Sequence, residues 1–468
     1  MNILMVSTPA MGHINPLLGI ARVLIAEGHN VVCLSGSALR DRIESAGAEF
    51  RAFPPAADID PQDVFASAPE LRVIPPGLKW FRVALERLFI ERIVPQHEGM
   101  RQILRAFPAD VIIGDDMMFG LLPTLLGRRA NRPPVVLCGT SFLHWFRDDG
   151  APHFMGLPPA TSDDERTQYA AVAEEYSQAV DQPAAIRLNR LLAAYGVGPL
   201  PLSLPMFDSM VALADAYMQL TIPAFEFPRP FPPTVSFIGT LPIIPNQAPL
   251  PPWAHELDGT RKVVLVTQGT VANYNFGLLV APTLAALASE PDVLVVATAG
   301  GWPVEAIPGM IPANARLASY LPFEWLLPKV DVLVTNGGYG SVNQALSFGI
   351  PLVTAGRTED KADVNTRVAW SGVGIDLATN EPTPLALREA IRTVVDTPHF
   401  RARAGSMAEL FHGIDTRSEI LRIVEQAVHA PGDGRARGAG ARNAEHAPWP
   451  TPASRLVRTD ASSLKPTH

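Results

Sequence analysis

A chain of 468 residues, 47% hydrophobic and 18% charged, is globular and long enough for two or three domains with full cores. Its net charge of −8 excludes a general nucleic-acid binder, which carries a basic face. Two cysteines, Cys33 and Cys138, both in apolar strand-like runs, and histidines without ligand spacing exclude a disulfide scaffold and a structural zinc site.

The chain opens Met1-Asn2-Ile3 with no basic stretch, and its apolar run breaks at Gly12-His13-Ile14-Asn15-Pro16. Neither a signal peptide nor a membrane span is expected, so the protein reads as cytoplasmic. Asn2–Ser7 reads as a strand, Thr8–Asn15 as a loop, Pro16–Glu27 as a helix with proline at its first position and Gly28 as its cap, and Val31–Leu34 as a second strand. This is a βαβ unit. His13 then lies on a loop at the C-terminal end of the first strand, where α/β proteins gather their reactive groups. An imidazole there suits proton removal from a hydroxyl; capping a helix or filling core is the other use of a lone histidine. Asp58-Ile-Asp60 has the spacing of a metal-binding pair but falls in a proline-rich loop and is set aside as chance.

Leu78–Ile93 places Trp80, Phe81, Val83, Ala84, Leu85, Leu88 and Phe89 at helical spacing, for core or cleft packing or for a membrane surface. Val111–Gly114 and Val135–Cys138 read as further strands. The first of them runs into Asp115-Asp116. A carboxylate at that strand end either receives the histidine Nδ1–H or caps the following helix. Residues 151–235, rich in alanine and proline, read as an insertion lining a pocket. Leu241–Trp253 (LPIIPNQAPLPPW) is the best linker.

The pattern then restarts: strand Val263–Thr267, loop Gln268–Asn273, a helical segment to Glu290, and strand Val293–Thr298. Alternating strands and helices in both halves predict two doubly wound parallel sheets, with ligands bound outside the strand C-terminal ends. Val330–Thr335 is a third buried strand. Gly337, Gly338 and Gly340 follow it, permitting a tight turn with positive φ, and Ser341–Phe348 reads as a helix ended by Gly349 and Pro351. A strand-glycine-helix unit aims free N–H groups and a positive helix end at one spot, which favours a phosphate or serves simply as a structural turn. Pro431–His468 has no periodicity and reads as a disordered tail; its six basic and three acidic residues are too sparse for a binding patch.

Taken in order, these motifs resemble the family 1 glycosyltransferases of GT-B architecture over roughly residues 1–425. The resemblance rests on Gly12-His13-Ile14-Asn15-Pro16, on Leu220–Arg229 and Phe237–Thr240 leading into the linker, and on the Asn336–Gln344 and Asp360-Lys361 segments. It implies an acceptor domain at 1–240, a linker at 241–260, a donor domain at 261–395, and helices at 396–430 packing back toward the N-terminal domain. His13 would be the base and Asp115 its orienting carboxylate. Gly269 and Thr270 would lie by the diphosphate. Asn336, Gly337, Gly338, Gly340 and Ser341 would bind its oxygens, with Gln344 on the ribose. Leu321 to Phe323 would hold the base of the nucleotide, and Asp360 and Lys361 would touch the sugar.

The implied reaction is one inverting displacement, without metal or prosthetic group, from a UDP- or TDP-sugar to a hydroxyl of a hydrophobic small molecule. The chain departs from the pattern at Asn336 (usually histidine), Gln344 (usually glutamate) and Lys361 (usually glutamine). The base-stacking tryptophan near Pro322 is missing too, with Phe323 or Trp325 as replacements. The acceptor loops, 55–95 and 140–205, carry Phe65, Trp80, Phe81, Phe89, Phe142, Trp145, Phe154 and Met155, part of which core packing also accounts for. A non-catalytic homologue serving as a helper protein and a sugar-nucleotide epimerase of the same architecture are the competing functions.

Overall fold

The computed structural model describes residues 1–60, 63–201, 203–243, 249–269 and 275–430. Thr270, part of the linker and the tail 431–468 lie outside the described residues.

The described chain forms two all-parallel sheets. The first has seven strands: β1 (Asn2–Val6), β2 (Asn30–Ser35), β3 (Glu49–Ala52), β4 (Val111–Asp115), β5 (Val135–Gly139), β6 (Ala216–Gln219) and β7 (Val235–Phe237), in the order β3-β2-β1-β4-β5-β6-β7. The second has six: β8 (Lys262–Thr267), β9 (Val293–Thr298), β10 (Ala315–Ala318), β11 (Val332–Thr335), β12 (Leu352–Thr354) and β13 (Gly374–Asp376), in the order β10-β9-β8-β11-β12-β13. The winding direction reverses once in each sheet, between β1 and β4 and between β8 and β11. A reversal splays the flanking connections apart and leaves a crevice at the strand C-terminal ends. His13 and Asp115 follow the first pair of strands; Gly269 and the Asn336–Gly340 turn follow the second.

Continuous apolar runs such as Val-Val-Leu-Cys-Gly (β5) and Val-Leu-Val-Val-Ala-Thr (β9) are buried along their whole length, as strands covered on both faces must be. Cys33 and Cys138 are free and fully buried in the first sheet, and burial pushes the Cys33 thiol up to about 12.

Three sequence expectations change. The first helix runs Met11–Ala26, not Pro16–Glu27. Ala10, extended at φ −144°, is its N-cap, so Pro16 sits inside the helix, where it removes the N–H that would have bonded the Gly12 carbonyl. His13 therefore belongs to the first helical turn rather than to a loop. Residues 151–235 are not wholly an insertion, because Ala216–Gln219 is a strand of the sheet. Leu78–Ile93 is the start of a longer helical run. It passes through a π turn (Leu85–Phe89) and a short 3₁₀ turn into the helix Ile93–Ala106.

The last helix, Thr416–His429, lies against the first sheet. Thr416 Oγ1 donates to the Ile238 and Thr240 carbonyls at 2.6 and 3.0 Å, and Ile420, Ile423 and Val424 join a core shared with Ile14 and Leu17 of the first helix. Buried polar contacts also tie the two halves across the crevice. Arg367, 1% exposed, bonds Glu226 at 3.0 and 3.1 Å and stands over the Phe142 and Phe227 rings. Burial works to raise the Glu226 carboxyl, but Arg367 and Arg229 hold it below its ordinary value. Gln219 donates to the Tyr339 hydroxyl at 2.6 Å, and Ser141 donates to Asp360 at 2.7 Å. No helix among the described residues is long and apolar enough to cross a membrane.

Candidate active site

His13, the third residue of the first helix, keeps about a fifth of its side chain exposed (22%), while Asp115, the last residue of β4, is fully buried. Their closest approach is 3.2 Å, from Nδ1 to Oδ1. Asp115 is held from three further directions: the Thr8 N–H at 2.7 Å, the Thr8 hydroxyl at 2.8 Å and the Met117 N–H at 3.1 Å. The carboxylate thus faces the histidine and accepts from the turn after β4, while the next helix, Phe119–Leu121, begins at Met118 without a side-chain cap.

A second arm reaches the same nitrogen. The Thr140 hydroxyl, just past β5, lies 2.9 Å from His13 Nδ1 and 2.9 Å from Asp116 Oδ1. A carboxylate only accepts, so Thr140 donates its single proton to Asp116 and receives the His13 Nδ1–H. The neutral imidazole is thereby held with its proton on Nδ1 and a lone pair on Nε2, the tautomer a general base requires. Burial lowers the His13 pKa, but the charge and hydrogen bond of Asp115, then the charges of Asp116 and Asp360, outweigh it and the net shift is upward. Asp116 accepts from the Thr140 N–H at 3.1 Å and the Tyr217 hydroxyl at 3.3 Å, and it faces His144 Nδ1 at 3.3 Å. Burial acts to raise the Asp116 pKa; His144, the charge of His13 and the Thr140 N–H bring it below the usual value.

His13, Asp115 and Asp116 offer ligand atoms within 4.8 Å of one another, a spacing that suits a cation. The carboxylate oxygens, however, are already supplied by N–H and O–H donors.

Across the crevice the site is made of backbone. The helix Tyr339–Ser347 begins at Gly338 with no side-chain cap, so its first N–H groups are open to a ligand. Among the described residues, a Cβ built on Gly12, Gly338 or Gly340 would meet nothing within 4 Å, which marks room over both helix starts, and the same holds at Gly269. Gly337 differs. Its φ is +97°, and a Cβ there would stand 1.8 Å from Asn365 Oδ1, so glycine is required for packing as well as for the turn. Asn365, fully buried, donates to the Asn336 and Gly356 carbonyls at 3.3 and 2.9 Å. Asn336 in turn donates to the Gln268 carbonyl at 3.1 Å, joining the Gly269 loop to the glycine turn. Asn336 thus holds two loops together.

The remaining expected positions divide. Ser341 and Gln344 are half-buried on one side of the helix, and Gln344 lines a pocket of about 460 Å³ with Glu324, Thr240 and Arg417. Leu321 is 2% exposed and belongs to the core, so its side chain faces no ligand; Phe323 and Trp325 pack against that same core. The adjacent Tyr320, 60% exposed, is the free aromatic ring of this segment. Asp360 bonds Ser141, and burial raises its pKa against the pull of Lys361 and Ser141. Lys361 is buried and pairs with Glu359.

Thr140, His144 and Asn365 were missed in the sequence, and Asp116 was read there only as a strand-end carboxylate beside Asp115. Thr140 had one signal, a polar residue directly after a buried strand; Asn365 had another, a polar residue on the buried side of an amphipathic helix.

The profile of the family described as Erythromycin biosynthesis protein CIII-like, C-terminal domain, matches residues 284–426. The chain is 36% identical over 434 residues to 4'-demethylrebeccamycin synthase of Lentzea aerocolonigenes, covering 91% of this chain and 99% of that protein. It is 33% identical over 444 residues to UDP-glycosyltransferase 2 of Phaeomoniella chlamydospora, covering 92% and 96%. The solved structure of CalG4, the calicheamicin glycosyltransferase, shares the fold with a TM-score of 0.68 at 20% identity, covering 92% of this chain and 99% of that one.

Proposed function

Because the chain belongs to the family 1 glycosyltransferases of GT-B fold, we propose that it carries out one inverting, metal-independent transfer. The sugar moves from a UDP- or TDP-sugar to a hydroxyl of a hydrophobic small molecule. One observation supports this most: the Nε2 lone pair of His13, fixed by Asp115 and Thr140 at one switch point, works with an uncapped helix start at the other.

In the proposed step, His13 Nε2 takes the acceptor proton as the acceptor oxygen bonds to the anomeric carbon. The bond from that carbon to the diphosphate oxygen breaks with its electron pair, and the charge goes to the leaving diphosphate. The N–H groups of Tyr339, Gly340 and Ser341 and the Ser341 hydroxyl receive that charge. Asp115 and Asp116 stabilise the imidazolium that forms. Asp360, near His13 and bonded to Ser141, is suited to the sugar hydroxyls. UDP in a relative's name favours that nucleotide, and the aromatic loops favour an apolar acceptor.

The test is a reaction of the full chain with α-linked UDP- and TDP-glucose and a hydroxylated aromatic acceptor, in the presence and absence of EDTA. The expected product is β-linked with nucleoside diphosphate released, EDTA leaving the rate unchanged. An α-linked product or loss of turnover on chelation overturns the mechanism. Consumption of donor without acceptor identifies an epimerase instead, and no turnover of any donor identifies a helper protein.

A further inference from the structure

Beside the base, two buried polar atoms have no hydrogen-bond partner among the described residues. Asp208, in the first turn of the helix Met206–Leu213, is 1% exposed; its Oδ2 lies 3.4 Å from His153 Nε2, while its Oδ1 has no hydrogen-bond partner. His144, 2% exposed, turns Nδ1 toward the Asp116 carboxylate, so in its neutral form the proton sits on Nδ1 and Nε2 is a lone pair; that Nε2 is also buried without a partner. The two groups share neighbours. The His144 ring lies 5.3 Å from Phe207, the chain neighbour of Asp208, and 5.6 Å from His153, which faces Asp208 in space.

The ring that fills this enclosure is Phe154, 5.0 Å from Phe207, 5.1 Å from Phe81 and 5.3 Å from His144. Its backbone has φ +67°, a region that disfavours any residue with a side chain. It lies between Gly150 and Gly156, both with positive φ, in a segment without regular structure. The group occupying the enclosure is therefore strained and carried on a loop.

We propose that this enclosure is an acceptor subsite for a flat aromatic group bearing a protonated amine nitrogen, which displaces Phe154 and donates to Asp208 Oδ1 and His144 Nε2. Asp208 Oδ1, and His144 Nε2 in the neutral ring, are acceptors, so the complementary ligand is a donor, and a buried carboxylate with one oxygen open favours a cation. The surrounding ring faces attract cations and stack on flat ligands. The contacts His144–Asp116–Thr140–His13 connect the nitrogen end to the base, leaving the reacting hydroxyl at His13. The subsite rests on the reading of this half as the acceptor side of a glycosyl-transfer site.

Two probes differ only by NH for CH₂: 6-hydroxy-1,2,3,4-tetrahydro-β-carboline and 6-hydroxy-1,2,3,4-tetrahydrocarbazole. Isothermal titration of the full chain without donor is expected to show the amine binding about tenfold or more tighter, and Asp208→Asn is expected to bring the ratio close to one. Equal affinity for the two probes, or binding of neither, overturns the proposal even if the variant fails to fold. An unchanged preference in a folded Asp208→Asn overturns the assignment to Asp208. Binding with the expected preference but no sugar transfer counts against the glycosyl-transfer reading alone. Transfer without preference counts against the subsite alone.

Discussion

On the donor side, the groups that border open space are backbone: the uncapped start of Tyr339–Ser347 and glycines 269, 338 and 340, around which a Cβ would meet nothing among the described residues. On the base side, the working groups are side chains, and Asp115, Asp116, His144 and Asp208 are each no more than 2% exposed. The first region offers dipoles that cost little to keep, since helix-end N–H groups are unpaired wherever a helix begins. The second holds charges in a poorly solvated place, where each must be matched by a specific neighbour. Damage should therefore take different forms: lost chemistry or altered titration on the base side, lost fold and nucleotide affinity on the donor side.

The largest effect is expected at His13. His13→Ala should lower kcat/KM roughly 100- to 10,000-fold, while UDP affinity by titration stays at the wild-type value. In the unmodified protein the same base must be neutral, so kcat/KM should fall in acid with a midpoint above 6.5, because the carboxylates around His13 raise its pKa. A midpoint at or below 6.5, or full turnover in the variant, removes His13 from the chemistry.

Next is Gly337→Ala. The new methyl faces both a φ of +97° and the Asn365 amide 1.8 Å away. Urea unfolding should show a loss of about 2–4 kcal/mol, accompanied by weaker nucleotide binding. Wild-type stability would mean that this turn is not built as described.

The smallest effect tests whether the base-side half stores unmatched charge. Burial, helped by the charge of Asp208, raises the Asp181 carboxyl to about 7. The folded state then binds a proton that the unfolded chain, with its carboxyl near 3.9, has released. The resulting penalty is absent below about pH 4, grows between pH 4 and 7, and is complete above 7. Asp181→Asn should therefore stabilise the protein by about 1–3 kcal/mol at pH 8 and have almost no effect at pH 4. An equal effect at both pH values would contradict the shift.

How much could be read beforehand follows from the range of the forces involved. Strands such as Val293–Thr298 were legible residue for residue, because a buried parallel strand is a local apolar run. β6 was not: Ala-Tyr-Met-Gln is four residues long in an alanine- and proline-rich stretch, and only pairing with β5 and β7 defines it. The first helix start was placed five residues late because Pro16 resembles a first-turn proline when only local sequence is weighed. Among site residues, His13 and Asp115 stood out as polar groups at strand ends. Thr140 and Asp116 did not stand out as a second arm, since nothing local says that residues 13, 116 and 140 converge on one nitrogen.

Two doubly wound sheets, the glycine turn and a histidine with a carboxylate at the first switch point were legible along the chain, because periodicity, glycine and chain order are properties of neighbouring residues. Folding alone set which nitrogen of His13 carries the proton, made Gly337 necessary beside Asn365, and left Asp208 Oδ1 and His144 Nε2 unpartnered beside an aromatic cluster. Those depend on distances between residues tens to hundreds of positions apart, and folding alone brings them within reach of a hydrogen bond.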